Sequence, residues 1–209
     1  MQYDFGKTTG EDHFERTGRL NKPPQILLTA IAKLQADQML DASRIRDLLS
    51  KVAAVYPSLH AKFTYPGPEQ DVLFDSAYNH PGSERTCDTC DRSRLVTRSS
   101  RARHDPVIHY GVIGSGNQVM NEIAQDLDIL CLETAGLMND FPCLEMEAGG
   151  LMNNFPCLMI RGICDYADSH KNKQWQGYAA ATAASYAKEL LSVIHTNQVT
   201  ETPVAVLYG

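Results

Sequence analysis

Residues 131–168 read CLETAGLMNDFPCLEMEAGGLMNNFPCLMIRGICDYAD. The first unit, CLETAGLMNDFP, runs straight into CLEMEAGGLMNNFP, and CL returns a third time before MIRGICDYAD. Each unit reads as a short apolar strand entering a helix of small and apolar residues, and MIRGICD reads as a further strand. Upstream, VIHYGVIGSG (107–116) is a β-branched run closing on glycines, which predicts a buried strand entering a turn. NQVMNEIAQDL then suggests a short helix and DILCLE a strand. Downstream, WQGYAAATAASYAKELLSVI (175–194) is the clearest helix in the chain. Strand–helix alternation of this kind predicts an α/β fold with a largely parallel sheet and helices on its faces.

The N-terminal third is different. Residues 1–22 are polar and glycine-rich, with QYDFGK suited at most to an edge strand. Pro23-Pro24 precedes QILLTAIAKLQADQML, where Ile26, Leu27, Ala30, Ile31 and Leu34 recur at helical spacing. A second helix is expected through RIRDLLSKVAAVYP, capped by Asp41 or Ser43 and stopped by Pro57. Residues 64–105 carry turn chemistry and no periodicity, the mark of a long loop. Residues 196–209 read as a tail.

The 209 residues suffice for one domain, placed at 1–195, and the net charge of −6 disfavours a nucleic-acid surface. No apolar run approaches the ~18 residues that cross a bilayer, and no secretion signal is evident, so no membrane association and an intracellular, cytoplasmic setting are expected. Of the six cysteines, Cys131, Cys143, Cys157 and Cys164 lie in apolar contexts suited to free core thiols.

Carboxylates at strand ends are the first chemical candidates, because open α/β sheets bind ligands beyond the carboxyl ends of their strands. Glu145 and Glu147 stand where LEME meets AGGLMNN, and Asp165 where MIRGIC ends; helix capping is the plainer use of each. Asp168 adds a carboxylate, and His170 falls in what reads as an exposed turn. Cys87-Asp-Thr-Cys90 has metal or redox spacing, with His80 and His104 as the nearby imidazoles. No second CxxC exists and the pair sits in a loop, which favours an incidental pair over a metal or redox site. Arg92, Arg94, Arg98, Arg101 and Arg103 form a basic run without interleaved aromatics, better suited to a solvated loop face than to RNA. Gly114-Ser115-Gly116 lacks both the dinucleotide and the P-loop pattern.

Taken together, QYDFGK, RTGRLNKPP with LLTA, DPVIHYGVIGSGNQVM, CLEMEAGGLMNNFPCLMIRGICDYADSHKNK and WQGYAAATAASYAKELL resemble the nucleoside phosphorylase and nucleosidase superfamily. That group includes purine nucleoside phosphorylases, uridine phosphorylases and methylthioadenosine/S-adenosylhomocysteine nucleosidases. The resemblance runs over residues 2–194 and is nearest to the fungal branch, whose domain often precedes ankyrin or NTPase modules. It implies a three-layer α/β sandwich with a mostly parallel or mixed central sheet flanked by helices. It also implies a purine nucleoside as ligand, cleavage of the N-glycosidic bond, and a homo-oligomer. No cofactor or metal is implied, only phosphate as co-substrate in a phosphorylase. By the same resemblance Asp165 faces the base as general acid, Glu147 holds the ribose hydroxyls with Met146 beside the sugar, and Ser115, Asn117, Gln118 and Val119 line the base pocket.

The chemistry suits those types. A protonated carboxyl can donate to a departing purine, and an ionised one can favour positive charge on the sugar ring. The family's N-terminal half, with its phosphate loop, has no counterpart before QYDFGK. The expectation is therefore an incomplete sheet and a weak or inactive enzyme, or else a degenerate nucleoside-binding or protein-interaction module without turnover. Within the doubled stretch, only the second unit keeps the order from Glu147 to Asp165. Residues 131–142, with Glu133, are expected to be the spare copy.

Overall fold

A computed structural model describes residues 6–8, 14–16, 21–40, 43–82, 86–99, 101, 103–115, 144–145, 148–152 and 155–200. In chain order these form β1 (Gly6–Thr8), β2 (Phe14–Arg16), α1 (Gln25–Met39), α2 (Ile45–Val55), α3 (His60–Phe63), β3 (Gly114–Ser115), β4 (Leu144–Glu145), α4 (Ala148–Met152), α5 (Trp175–Ser192) and α6 (Thr196–Thr200). Short 3₁₀ turns fall at Pro57–Leu59, Pro68–Gln70 and Arg92–Arg94.

The architecture corrects the expectation of a three-layer α/β sandwich. Helices dominate the described residues, and the strands are two or three residues long. Among the described residues they pair only as two separate ribbons, antiparallel β1–β2 and parallel β3–β4, with no central sheet. MIRGICD, expected as a strand, forms no ladder, and of the described residues 107–115 only Gly114 and Ser115 are strand. Ile108 and Ile160 instead pack on the helices, while Val107, Val112 and Ile163 stay exposed. β-Branched composition suits a pleated, half-buried surface but does not by itself supply a pairing partner. NQVMNEIAQDL and the whole first unit of the doubled stretch lie outside the described residues. The second unit contributes β4 and α4.

The core is a helical one. Ala30 and Leu34 of α1, Ile45 at the start of α2, and Tyr186 and Leu190 of α5 form one buried cluster. Ile108, Leu158 and Ile160 pack against it, so the segments around 108 and 158–160 lie on the helices. The apolar spacing of α1 therefore turns its stripe to α5, as amphipathic helices do.

The N-terminus of α2 is secured from far away. The Arg44 N–H donates to Glu189 Oε1 at 2.8 Å, a carboxylate on α5 that is 4% exposed. Ser43 Oγ, an expected cap, accepts only a long 3.4 Å bond from the Ile45 N–H. Glu189→Ala is expected to cost about 1–3 kcal/mol by removing the charged acceptor of the part-buried Arg44 N–H bond. Urea unfolding with the m-value unchanged would report this; a midpoint equal to that of the parent chain would show that water takes over the cap.

A second, smaller core holds the long loop. Phe74, Cys87 and Cys90 are buried together, with Val72, Tyr78 and Leu95 around them, and Phe74 bridges Leu95 in antiparallel fashion. The described residues of the loop expected at 64–105 are accordingly irregular but internally packed.

Candidate functional site

Asp165 ends the 156–165 segment in a tight turn. Its Oδ1 accepts from the Ala167 N–H at 2.9 Å, and Ala167 itself takes a left-handed φ of 58°. Its Oδ2 accepts from Cys164 Sγ at 3.3 Å. Burial and the neighbouring Asp165 push the Cys164 thiol up to about 11, so it stays a neutral donor. Both carboxylate oxygens are thereby held as acceptors in a fixed position.

A cavity of about 840 Å³ opens beside this turn. Its lining runs from Asp165 and Tyr166 to Tyr65, His104, Trp175 and Tyr178. The Tyr65 ring stands edge-on to Trp175 at 5.5 Å and to Tyr178 at 5.6 Å, and His104 tilts on Tyr65 at 5.6 Å. Trp175 is anchored by its indole N–H, which donates to the Gln70 carbonyl at 3.0 Å. The wall is a fixed aromatic surface with the carboxylates of Asp165, Asp71 and Asp105 also among its lining.

The long loop closes the site. Tyr166 donates to Asp71 Oδ1 at 2.5 Å, and Arg98 donates to the Tyr166 hydroxyl at 2.5 Å and to Asp71 Oδ1 at 3.1 Å. Arg101 lies 3.7 Å from the other Asp71 oxygen. The basic run is therefore not a uniform solvated face: Arg98 and Arg101 turn towards Asp71, while Arg94 and Arg103 pair with Asp75 and Asp105. Burial alone would raise the Asp71 carboxyl, but the hydrogen bonds from Tyr166 and Arg98 outweigh it and hold it below its ordinary value. A depressed folded-state value contributes stability above the unfolded value of about 3.9, lost as pH falls through the lower, folded one. Asp71→Asn is expected to flatten the acid limb of a melting-temperature profile below about pH 4. A limb of unchanged slope would place the acid sensitivity elsewhere.

The remaining site residues divide. Ser115 is buried in β3, opposite Glu145 of β4, and does not line the cavity that Asp165 borders. Glu147, Met146, Asn117, Gln118, Val119 and Glu133 lie outside the described residues. Of the expected constellation, then, Asp165 is the residue at the cavity. Sequence reasoning missed its companions: Asp71 and Arg98, 94 and 67 residues earlier in the chain, carried no local signal of approach.

His170 is a correction. Expected in an exposed turn, it is 7% exposed, its ring stacked on Phe74 at 4.2 Å. Around it the structure collects a second group of polar side chains. His80, Cys87 and Cys90 bring one ligand atom each within 4.8 Å of one another. Burial and Cys90 beside it push the Cys87 thiol up to about 12. His104, the other imidazole weighed for this pair, is instead at the cavity with Tyr65.

No helix among the described residues is long and apolar enough to cross a membrane. No family model and no solved structure matches the chain. Over 202 residues the chain is 42% identical to a protein of Hyaloscypha variabilis described as a nucleotide-binding leucine-rich repeat (NLR)-like protein. The alignment covers 93% of this chain and 18% of that relative, so the chain spans less than a fifth of the relative's length.

Proposed function

We propose that the cavity beside Asp165 binds a purine nucleoside and that the chain is the nucleoside-reading part of a longer protein. The observation that carries this is a fixed carboxylate at the edge of an aromatic-walled cavity of about 840 Å³. Flat heteroaromatic ligands gain from edge and face contacts with such rings, and a carboxylate accepting at both oxygens suits the N–H donors of a purine. The sequence resemblance points the same way, since it assigns Asp165 to the base. Similarity to one segment of a nucleotide-binding leucine-rich repeat-like protein suits a module that reads a ligand for a larger assembly. Attached modules and self-association belong to the same reading.

Cleavage of the N-glycosidic bond, by water or by phosphate as co-substrate, is the second reading. It rests on Asp165 and Glu147 keeping the family's order in the second unit of the doubled stretch. It needs Asp165 to give up a proton, whereas its two oxygens accept from Ala167 and Cys164.

Calorimetry and thermal shift with adenosine and inosine, alongside chromatography for free base, separate the readings. Saturating nucleoside is expected to stabilise the chain, by about 2.7 kcal/mol at a hundredfold excess over Kd, without base release. Asp165→Asn keeps an oxygen for the Ala167 N–H and is expected to weaken binding about 10–100-fold, the worth of a charged hydrogen bond. Absence of any shift sinks the proposal. Base release lost in Asp165→Asn replaces it with the second reading.

A further inference from the structure

We propose that His80, Cys87, Cys90 and His170 form a structural zinc site that staples the long loop to the turn after Asp165. Two thiolates and two imidazoles are a tetrahedral zinc set, and because both thiolates neutralise the ion it suits a dry pocket. Cys87, Cys90 and His170 are all buried, which matches a closed structural site rather than an open catalytic one.

The spacing of three of the four, His80, Cys87 and Cys90, fits an ion of that size. Zinc bonds of about 2.3 Å to sulfur and 2.1 Å to nitrogen put tetrahedral ligand atoms about 3.8 Å apart. The His80, Cys87 and Cys90 ligand atoms, all within 4.8 Å, need to close by about 1 Å or less to take it. Two imidazoles sharing a tetrahedral ion have ring centroids about 5 Å apart; those of His80 and His170 are 5.4 Å apart, at 63°.

Independent of that spacing, His170 Nε2 is buried without a hydrogen-bond partner, an arrangement that costs free energy unless something occupies the nitrogen. Its Nδ1 lies 3.4 Å from Ser169 Oγ, leaving Nε2 for the metal. The His80 ring is set for ligation by either nitrogen. Nε2 stands 3.0 Å from the Thr86 carbonyl and Nδ1 3.4 Å from that of Gly82, so one can donate to a carbonyl while the other binds, as metal-ligating histidines do. The His80 N–H donates to Ser169 Oγ at 3.0 Å, tying the two histidine segments together. Binding replaces two thiol protons by the ion and releases them, with no redox change.

The loop has reason to need this. Its own buried cluster is Phe74, Cys87 and Cys90, too small a core to fix a segment of this length without a staple. The site stands whether or not the cavity takes a nucleoside.

The test uses the 209-residue chain purified untagged under reducing conditions. About one zinc per chain is expected by elemental analysis. Cobalt titrated into chelator-treated protein should give the thiolate charge-transfer and intense visible bands of a tetrahedral site. Cys87→Ser and Cys90→Ser should each abolish those bands. His170→Phe, which keeps the stacking on Phe74, should weaken zinc more than about 100-fold, beyond the loss of an outer hydrogen-bond partner. Because the titration uses the parent chain, a variant that fails to fold does not decide the matter. Metal-free protein with no cobalt spectrum and no zinc affinity tighter than about 1 μM overturns the site, as does a Cys87–Cys90 disulfide that re-forms in preference to metal binding. Unchanged zinc affinity in His170→Phe overturns the fourth ligand.

Discussion

Gly162→Ala is expected to destabilise the chain by about 3 kcal/mol or more and to lower its melting temperature by about 6–12 °C. A Cβ at Gly162 would stand 2.0 Å from the carbonyl oxygen of Ala179 and 2.5 Å from its carbon. Those are backbone atoms in the interior of α5, so no rotamer change relieves the clash. The segment 158–165 would have to lift off the helix. That same segment contributes Leu158 and Ile160 to the core and ends at Asp165. The substitution should therefore also displace the carboxylate from the cavity edge and lose any nucleoside response. Gly150→Ala supplies the contrast: nothing lies within 4 Å of its new Cβ, and a helical alanine is worth up to about 1 kcal/mol over glycine. Parallel melts of the two variants read the difference. A Gly162→Ala chain melting within about 2 °C of the parent would mean that the segment and α5 are not in contact in solution.

The helices that build the core were legible because their signals are local. Apolar spacing in QILLTAIAKLQADQML and in WQGYAAATAASYAKELLSVI gave α1 and α5 to within a few residues. Pro57 marked the end of α2 because its ring cannot continue a helix, and α2 ends at Val55. The sheet was misread for a physical reason. IRGIC and VIHYGVI have the composition of buried strands, but Ile160 and Ile108 pack on the helical core without a ladder, while Val107, Val112 and Ile163 are exposed. The candidate site offered a signal in the sequence only where one residue ends a segment, as Asp165 does. Its loop partners Asp71 and Arg98 come from a stretch whose turn chemistry hid an internal core. The cap on α2 came from Glu189, 145 residues away, while the local candidate Ser43 makes a long bond. His170 lay among Lys171 and Lys173, and that charge pattern suggested exposure. The aromatic packing of Phe74 and Tyr78 decides its burial instead.

Leu34→Ala is expected to cost about 3–5 kcal/mol, the range for emptying a well-packed leucine site. Leu34 is 2% exposed, among the most deeply buried large side chains in the described structure. It sits in the cluster with Ala30, Ile45, Tyr186 and Leu190, where three helices meet. None of these neighbours can fill the space easily, since Ala30 is small and Tyr186 is held against Tyr110, ring centroids 6.4 Å apart. The loss therefore contains a cavity term as well as the transfer term. Leu191, one residue beyond Leu190 on α5 but 65% exposed, is expected to change stability by less than about 0.5 kcal/mol on the same substitution. The pair tests the helical core directly, because the two leucines differ in burial and not in type. A strand-built core of the kind the sequence suggested would have put its main stabilisation into residues 107–116 and 158–165 rather than into α1. Equal costs for Leu34→Ala and Leu191→Ala in denaturant unfolding would refute the helix packing. A large difference would locate the chain's stability at the α1–α5 contact, about which the cavity wall at Trp175 and Tyr178 is built on the same helix.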